Sequence, residues 1–285
     1  MQAAHDGAAS GDSVYVESSA TSYGGLSCSK KLILIGTGYF LDQNTGLQAF
    51  TLPSQVGTLN FNLGSNGSIV DGLSILNQSS INLNNVDDII IRRNVFTSSF
   101  GTNISDYITG AININSTSNN IFILQNFGLK ITNNSVSTGI LISNNYIADN
   151  GAGGDATDGN CISLNTGTVA IIKNNIFRRG TVTAYNSNIS NNIMYRGFLG
   201  GSGNLISNNI ANITQFGTAD GNKANVDMAS VFELSGSLDG QFKLKTGSPA
   251  IGAGYGSTNQ NPVDCGMFGG STPYALSGIP AIPSI

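Results

Sequence analysis

The residues best placed for chemistry in this chain are a few acids and arginines that recur at one spacing. Asp149, Arg179 and Arg196 each stand four residues beyond an asparagine, at Asn145, Asn175 and Asn192 respectively. On successive turns of a repeating coil they would form a lane with steps of about 5 Å. An acid beside two guanidiniums can bind and polarise an acidic sugar, with Arg178, Tyr195 and Lys173 close by in sequence to hold it. Asp149, Arg179 and Arg196 are therefore the candidate catalytic set, and Arg178, Tyr195 and Lys173 the candidate substrate-binding set. The preferred reading is plainer: a salt-bridge ladder in which Asp149 offsets the repulsion between arginines, a contact that contributes little at a surface.

Asp149, Asp155 and Asp158 lie in the glycine-rich stretch 149–159 (DNGAGGDATDG) and can offer oxygen ligands to calcium. Their spacing matches neither the EF-hand nor the nonapeptide calcium repeat, so a flexible acidic loop is preferred and calcium is the one cofactor considered. The adjacent Asp87-Asp88 reads as a polar corner rather than an acid–base pair. A Ser-His-Asp triad is excluded, because the single histidine, His5, sits in the opening segment. Cys28, Cys161 and Cys265 lie far apart, form no CxxC pair, and read as small buried hydrophobes. A net charge of −4 without a basic stripe argues against nucleic acid; Arg92-Arg93 and Arg178-Arg179 read as solvated or salt-bridged pairs. No apolar run reaches the roughly 18 residues of a membrane span.

The elements that must position these side chains announce themselves as a repeat. Segments 171–177 (IIKNNIF), 188–194 (NISNNIM) and 205–211 (LISNNIA) share an Asn-Asn pair flanked by apolar residues, and Asn175, Asn192 and Asn209 are 17 residues apart. Further copies stand at 141–147 (LISNNYI), 90–96 (IIRRNVF) and, more loosely, 123–129 (ILQNFGL), with Asp71-Gly72 replacing the pair in 68–75. Asparagine tolerates left-handed backbone and turns a strand sharply, so each pair marks a corner between two short strands facing the interior. Stacking such turns about 4.8 Å apart sets asparagine over asparagine and lets the amides hydrogen-bond along a column. The interval grows to 30 between Asn145 and Asn175 and to 32 between Asn94 and Asn126, which places insertions at 149–159 and 100–110 as the loops where function is added. Tyr107, Tyr146, Tyr185, Tyr195 and Phe198 can line a sugar platform or pack as rim. An ice-binding face would need ranked Thr-x-Thr pairs, and only 181–183 fits.

Both ends carry a resemblance. The opening QAAHDGAASGDSVYVES, a short helix, a Gly-Asp turn and a strand at 12–16, resembles the start of right-handed parallel β-helix proteins of the pectate-lyase-like superfamily. The stretch 30–44 (KKLILIGTGYFLDQN), and the ending FKLKTGSPAIGAG (242–254) with VDCGMFGG (263–270), are similar to those of surface β-helix proteins of the Bacteroidetes. The resemblance implies a capped solenoid and a secreted or cell-surface setting, with any export signal already removed ahead of Met1. It implies no activity, since the Gly-His-Gly and Arg-x-Lys motifs of the pectin hydrolases and the arginine motifs of the pectate lyases are missing.

The expectation is an all-β, single-stranded right-handed parallel β-helix: cap helix 1–11, solenoid 12–245, and a C-terminal capping segment and strap 246–285. It would be a secreted or cell-surface monomer, acting as a scaffold or as a non-catalytic binder of a glycan or a cell-surface partner. The alternative is a polysaccharide lyase or glycoside hydrolase acting on an acidic polysaccharide. Fold alone does not choose between them.

Overall fold

The computed structural model describes residues 1–76, 78–96, 110–148 and 159–280. The insertions at 100–110 and 149–159 fall almost wholly outside the described residues, and Asp149, Asp155, Asp158 and Tyr107 with them. The chain is a parallel β-helix with three faces. Face one stacks nine strands from Ser13–Tyr15 to Leu205–Ser207; face two runs from Gln55–Val56 to Ile210–Ala211; face three runs from Leu26–Cys28 to Phe198–Gly200. Each turn passes from face one to two to three, and Phe127–Asn133 bends from the second face into the third. Strands this short alternate cleanly, so one aliphatic residue per rung points inward: Leu34, Val70, Ile91, Ile123, Ile142, Ile172 and Ile189 stack in register, all buried.

The corner between faces one and two holds the coils together. Its first residue takes left-handed backbone, with φ of 59° at Asn144, 55° at Asn174, 58° at Asn191 and 56° at Asn208. Its second residue turns inward and is fully buried at Asn94, Asn126, Asn145, Asn175, Asn192 and Asn209. Each of these six accepts the amide N–H and the side-chain Nδ2 of the asparagine one coil before it, or receives Leu73 N in the case of Asn94, at 2.8–3.0 Å. Asn222 continues the column past the last strand. The remaining Nδ2 hydrogens reach backbone carbonyls such as Ile172 and Ile189. A second column satisfies the corner between faces three and one, where Ser118, Ser137 and Thr168 hydroxyls accept the backbone N–H of Val86, Ser118 and Ser137.

One expectation needs correcting. The residue after each ladder asparagine was expected inside, yet Val95, Phe127, Tyr146, Ile176, Ile193 and Ile210 point out of face two, because alternation resumes one residue past the corner. They are buried all the same. Residues 228–280 run back over them and add Met228, Phe232, Phe242, Ala250, Cys265, Met267 and Tyr274 to a second core. Tyr146 is stacked on Phe127 at 4.4 Å and against Phe242 at 4.5 Å, so it is core and not a sugar platform. The returning segment is locked at its far end by a buried polar cluster. Tyr39 and Tyr274 hydroxyls meet at 2.6 Å, and the buried Asp239 carboxylate accepts from Tyr274, Ser277 N and Asn44.

Both ends of the first core are closed. Helix Gln2–Gly7 lies over the first coil, where Gln2 Oε1 accepts Ser27 N at 2.9 Å and His5 Nε2 accepts Ser29 N at 3.2 Å, so side chains replace a missing strand on the edge Leu26–Cys28. The strands end at Ala211; the turn beyond sends Phe216 into the core, and residues 212–245 continue with turns and two short 3₁₀ turns at Met228–Ser230 and Gly240–Phe242. All three cysteines are free and buried.

Two outcomes follow from these contacts. Asn192→Ala strands the N–H groups of Asn175 and the carbonyl of Ile172, and is expected to lower stability by roughly 2–4 kcal/mol, read as a fall in the urea midpoint; an unchanged midpoint refutes the ladder's role. Burial, followed for Tyr39 by the Asp239 charge, pushes the Tyr39 and Tyr274 phenols well above their usual range near 10. The unfolded chain then releases protons first, so this stability is intact below about pH 10 and is lost above it, by up to about 1.4 kcal/mol per pH unit and tyrosine. Urea titrations above that pH should show a shallower decline in a Tyr39→Phe, Tyr274→Phe variant than in the wild type.

Candidate functional site

Two surfaces gather polar side chains around a cleft. The first lies on the outside of face one. Its floor is the register Phe122, Leu141, Ile171, Asn188 and Leu205, with Leu124, Ser143, Lys173, Ser190 and Ser207 two residues further along the respective strands. Five parallel strands give it a length of roughly 19 Å between the outermost pair. Three cavities of about 510, 640 and 480 Å³ follow one another along it, the first two sharing Ile171 and the last two sharing Tyr255. Ile171 is 48%, Leu205 72% and Tyr255 71% exposed, so apolar surface is offered to whatever enters. Amides and hydroxyls of Asn174, Asn188, Ser190 and Thr272 stand among them, with Lys173 as one cation and Asp220 as the one carboxylate among the described lining residues.

One wall of this groove is the returning C-terminal segment, and the corner asparagines hold it there. The first residue of each pair points outward. Gln125 Nε2 donates to the carbonyls of Thr272 and Pro273, Asn144 Nδ2 to Met267 and Gly269, Asn174 Nδ2 to Asp264, and Asn208 Nδ2 to Ala253. Asn191 Oδ1 accepts Tyr255 N at 2.7 Å, which places the tyrosine ring at the junction of two cavities. The glycines of the 263–270 stretch permit this approach: a Cβ at Gly266 would come within 2.7 Å of Ile193 Cδ1. Sequence reasoning missed this second task of the Asn-Asn pair. A signal existed, since the left-handed position carries a hydrogen-bonding side chain at Arg93 and Gln125, where asparagine is replaced, and gives way to glycine at Gly72.

The second surface is the corner between faces two and three. Arg178 and Tyr195 are register partners, the Arg178 guanidinium carbon sits 5.3 Å from the Tyr195 ring centroid, and that of Arg196 sits 5.7 Å from it. Arg179 and Arg196 occupy equivalent left-handed positions, each at φ 64°, one coil apart. A glycine must follow, because a Cβ at Gly197 would run into the Gly180 carbonyl. A cleft of about 410 Å³ opens beside Arg178 and Tyr195, bordered by Asn212, Asp227 and Leu234. Arg178, Arg179, Tyr195 and Arg196 thus come together; Lys173 does not join them, but lines the groove of face one. Asp149 lies outside the described residues, though Ala148 pairs with Arg178 one coil away. The flanks of both insertions, Phe96 with Ala111 and Ala148 with Asn160, end and begin strands at this same corner. Asp87 and Asp88 are far from it, accepting from Asn119 and Asn120 at a corner of face one.

Among the described residues no group of three His, Cys, Asp or Glu side chains is arranged to hold a metal. No described helix is long and apolar enough to cross a membrane. Comparison with protein-family models, with curated proteins and with solved structures finds no match.

The strap contacts give a direct expectation. Asn191→Ala removes the acceptor of Tyr255 N, and hydrogen exchange of that amide should quicken roughly tenfold, the equivalent of one lost hydrogen bond. Mass-spectrometric exchange over 250–262 reads it, and unchanged protection would show that the strap wall does not depend on the corner.

Proposed function

We propose that this protein is a surface β-helix that binds a polysaccharide chain without cleaving it, and that the chain lies in the groove of face one. The observation that carries the proposal is the continuity of that groove across five coils. It interleaves apolar and aromatic surface (Phe122, Ile171, Tyr255) with fixed amides and hydroxyls (Asn174, Asn188, Ser190), the mixture that complements the faces and edges of sugar rings. A hydrolase needs two carboxylates about the scissile bond, and the described lining supplies Asp220. The winding, the capping helix and the glycine-rich ending support membership of the pectate-lyase-like superfamily and a secreted or cell-surface setting, as proposed from the sequence.

A second reading rests on the arginine corner. Arg178 and Arg196 bracket Tyr195 beside a cleft, with no carboxylate within ion-pair distance of either among the described residues. This arrangement favours an acidic sugar, and it is the place where a lyase acting on an acidic polysaccharide would have to work. One experiment separates the two. Calorimetric titration of neutral hexasaccharides and of oligogalacturonate is expected to show neutral-sugar binding weakened about tenfold by Tyr255→Ala, the loss of a stacking platform, and untouched by Arg178→Ala. Oligogalacturonate binding lost in Arg178→Ala alone moves the ligand to the arginine corner. Release of unsaturated or reducing ends overturns the non-catalytic reading.

A further inference from the structure

Face three presents an outer surface unlike the other two. Along its strands the inward positions are apolar, and the outward ones form two ranks of amides. Asn82 Nδ2 donates to Asn60 Oδ1 at 2.8 Å and Asn113 Nδ2 to Asn82 Oδ1 at 2.9 Å. In the neighbouring rank Asn84 Nδ2 donates to Asn62 Oδ1 at 3.0 Å and Asn115 Nδ2 to Asn84 Oδ1 at 3.1 Å. The first rank continues in register through hydroxyls, at Thr132, Ser163 and Thr183. Within the described strands of this face the one charged residue is Lys130. The buried ladder of the asparagine corner stabilises the coil, but these amides face solvent, so interior polar satisfaction does not account for them.

Their geometry fits a partner. Each ladder bond uses one N–H and one lone pair, so Asn84 in mid-rank keeps one donor and one acceptor for an outside group, while Asn82, whose Oδ1 also accepts Ser80 Oγ at 3.1 Å, keeps one donor. The ladder also fixes the side chain, which lowers the entropy lost on binding. Rungs repeat every 4.8 Å or so and the ranks stand roughly 7 Å apart, two residues along a strand. The surface is thus a preorganised, uncharged lattice of fixed donors and acceptors. Its electrostatic complement is an uncharged solid bearing hydroxyls at a regular repeat, since a charged partner would find no counter-charge and a lone soluble chain would engage few ranks at once.

We infer that face three is an adsorption surface for an ordered, insoluble neutral polysaccharide, with the ranks Asn60–Asn82–Asn113 and Asn62–Asn84–Asn115 as its recognition lattice. This goes beyond the groove of face one, which takes a single chain, and the two are separable. The test is depletion of the full chain from solution by microcrystalline cellulose and by crystalline chitin. Wild type is expected to adsorb to at least one of them, and Asn82→Lys with Asn113→Lys to reduce the bound fraction at least tenfold. Asn115→Lys with Asn134→Lys, exposed positions in register at the end of the second rank, should do the same while leaving the first rank intact and the thermal unfolding curve unmoved. Asn188→Lys, in the groove, should weaken binding of soluble hexasaccharides and leave adsorption as it was. Failure of wild type to adsorb to either solid overturns the inference, whatever the soluble sugars do. So does undiminished adsorption by both face-three variants, loss of adsorption in Asn188→Lys alone, or arrest of ice growth in place of adsorption.

Discussion

A backbone that turns sharply at the rim of a narrow core leaves peptide groups that no neighbouring strand can reach. In this protein the inward asparagine of each corner answers that shortage, its oxygen taking the N–H of the coil before and its nitrogen closing a carbonyl behind. The same contact sets the height of each coil against the next. Coils of very different length, separated by 17, 19, 30 or 32 residues, therefore stack at one register. Everything mounted on the outside inherits its position from that column.

The three faces then diverge in use. Face two turns a row of apolar and aromatic residues outward, and an exposed row of that length would be a hazard for association. Residues 228–280 cover it, held through their carbonyls by the outward corner amides and pinned at the end by the buried Tyr39, Tyr274 and Asp239 cluster. Because the outward amides grip backbone, the strap's side chains are free to fill the second core, and space is short where Gly266 meets Ile193 and where Pro280 lies over Gly72. Covering face two raises a wall beside face one, and that wall turns a flat sheet into a groove. Face three keeps its two amide ranks at least partly exposed.

The arginine corner shows how far local sequence can be trusted. The spacing placed Arg179 and Arg196 one above the other, and they do occupy equivalent positions with Arg178 packed on Tyr195. Lys173 looked close to them because it is five residues from Arg178, yet the asparagine corner lies between, and a turn there sends the two side chains to different faces. Distance along a solenoid chain is a poor guide to distance in space wherever a corner intervenes. The groove itself was invisible for a related reason: its walls come from residues 45 to 148 positions apart, joined by backbone contacts that leave little trace in residue type.

What the sequence determined by itself is the winding. Period-two alternation, left-handed corners at Asn, Asp-Gly and Arg-Asn, and the recurrence of the pair dictate a parallel solenoid, because those preferences act within a few residues and repeat. It also determined which coils carry insertions. Only the tertiary structure decided which of the two asparagines points in and which points out, that the residue after the pair belongs to a second core, and that the C-terminal segment returns along face two. Those outcomes depend on packing between segments far apart in the chain: an outward apolar residue and an outward amide acquire partners only when residues 228–280 come back over them.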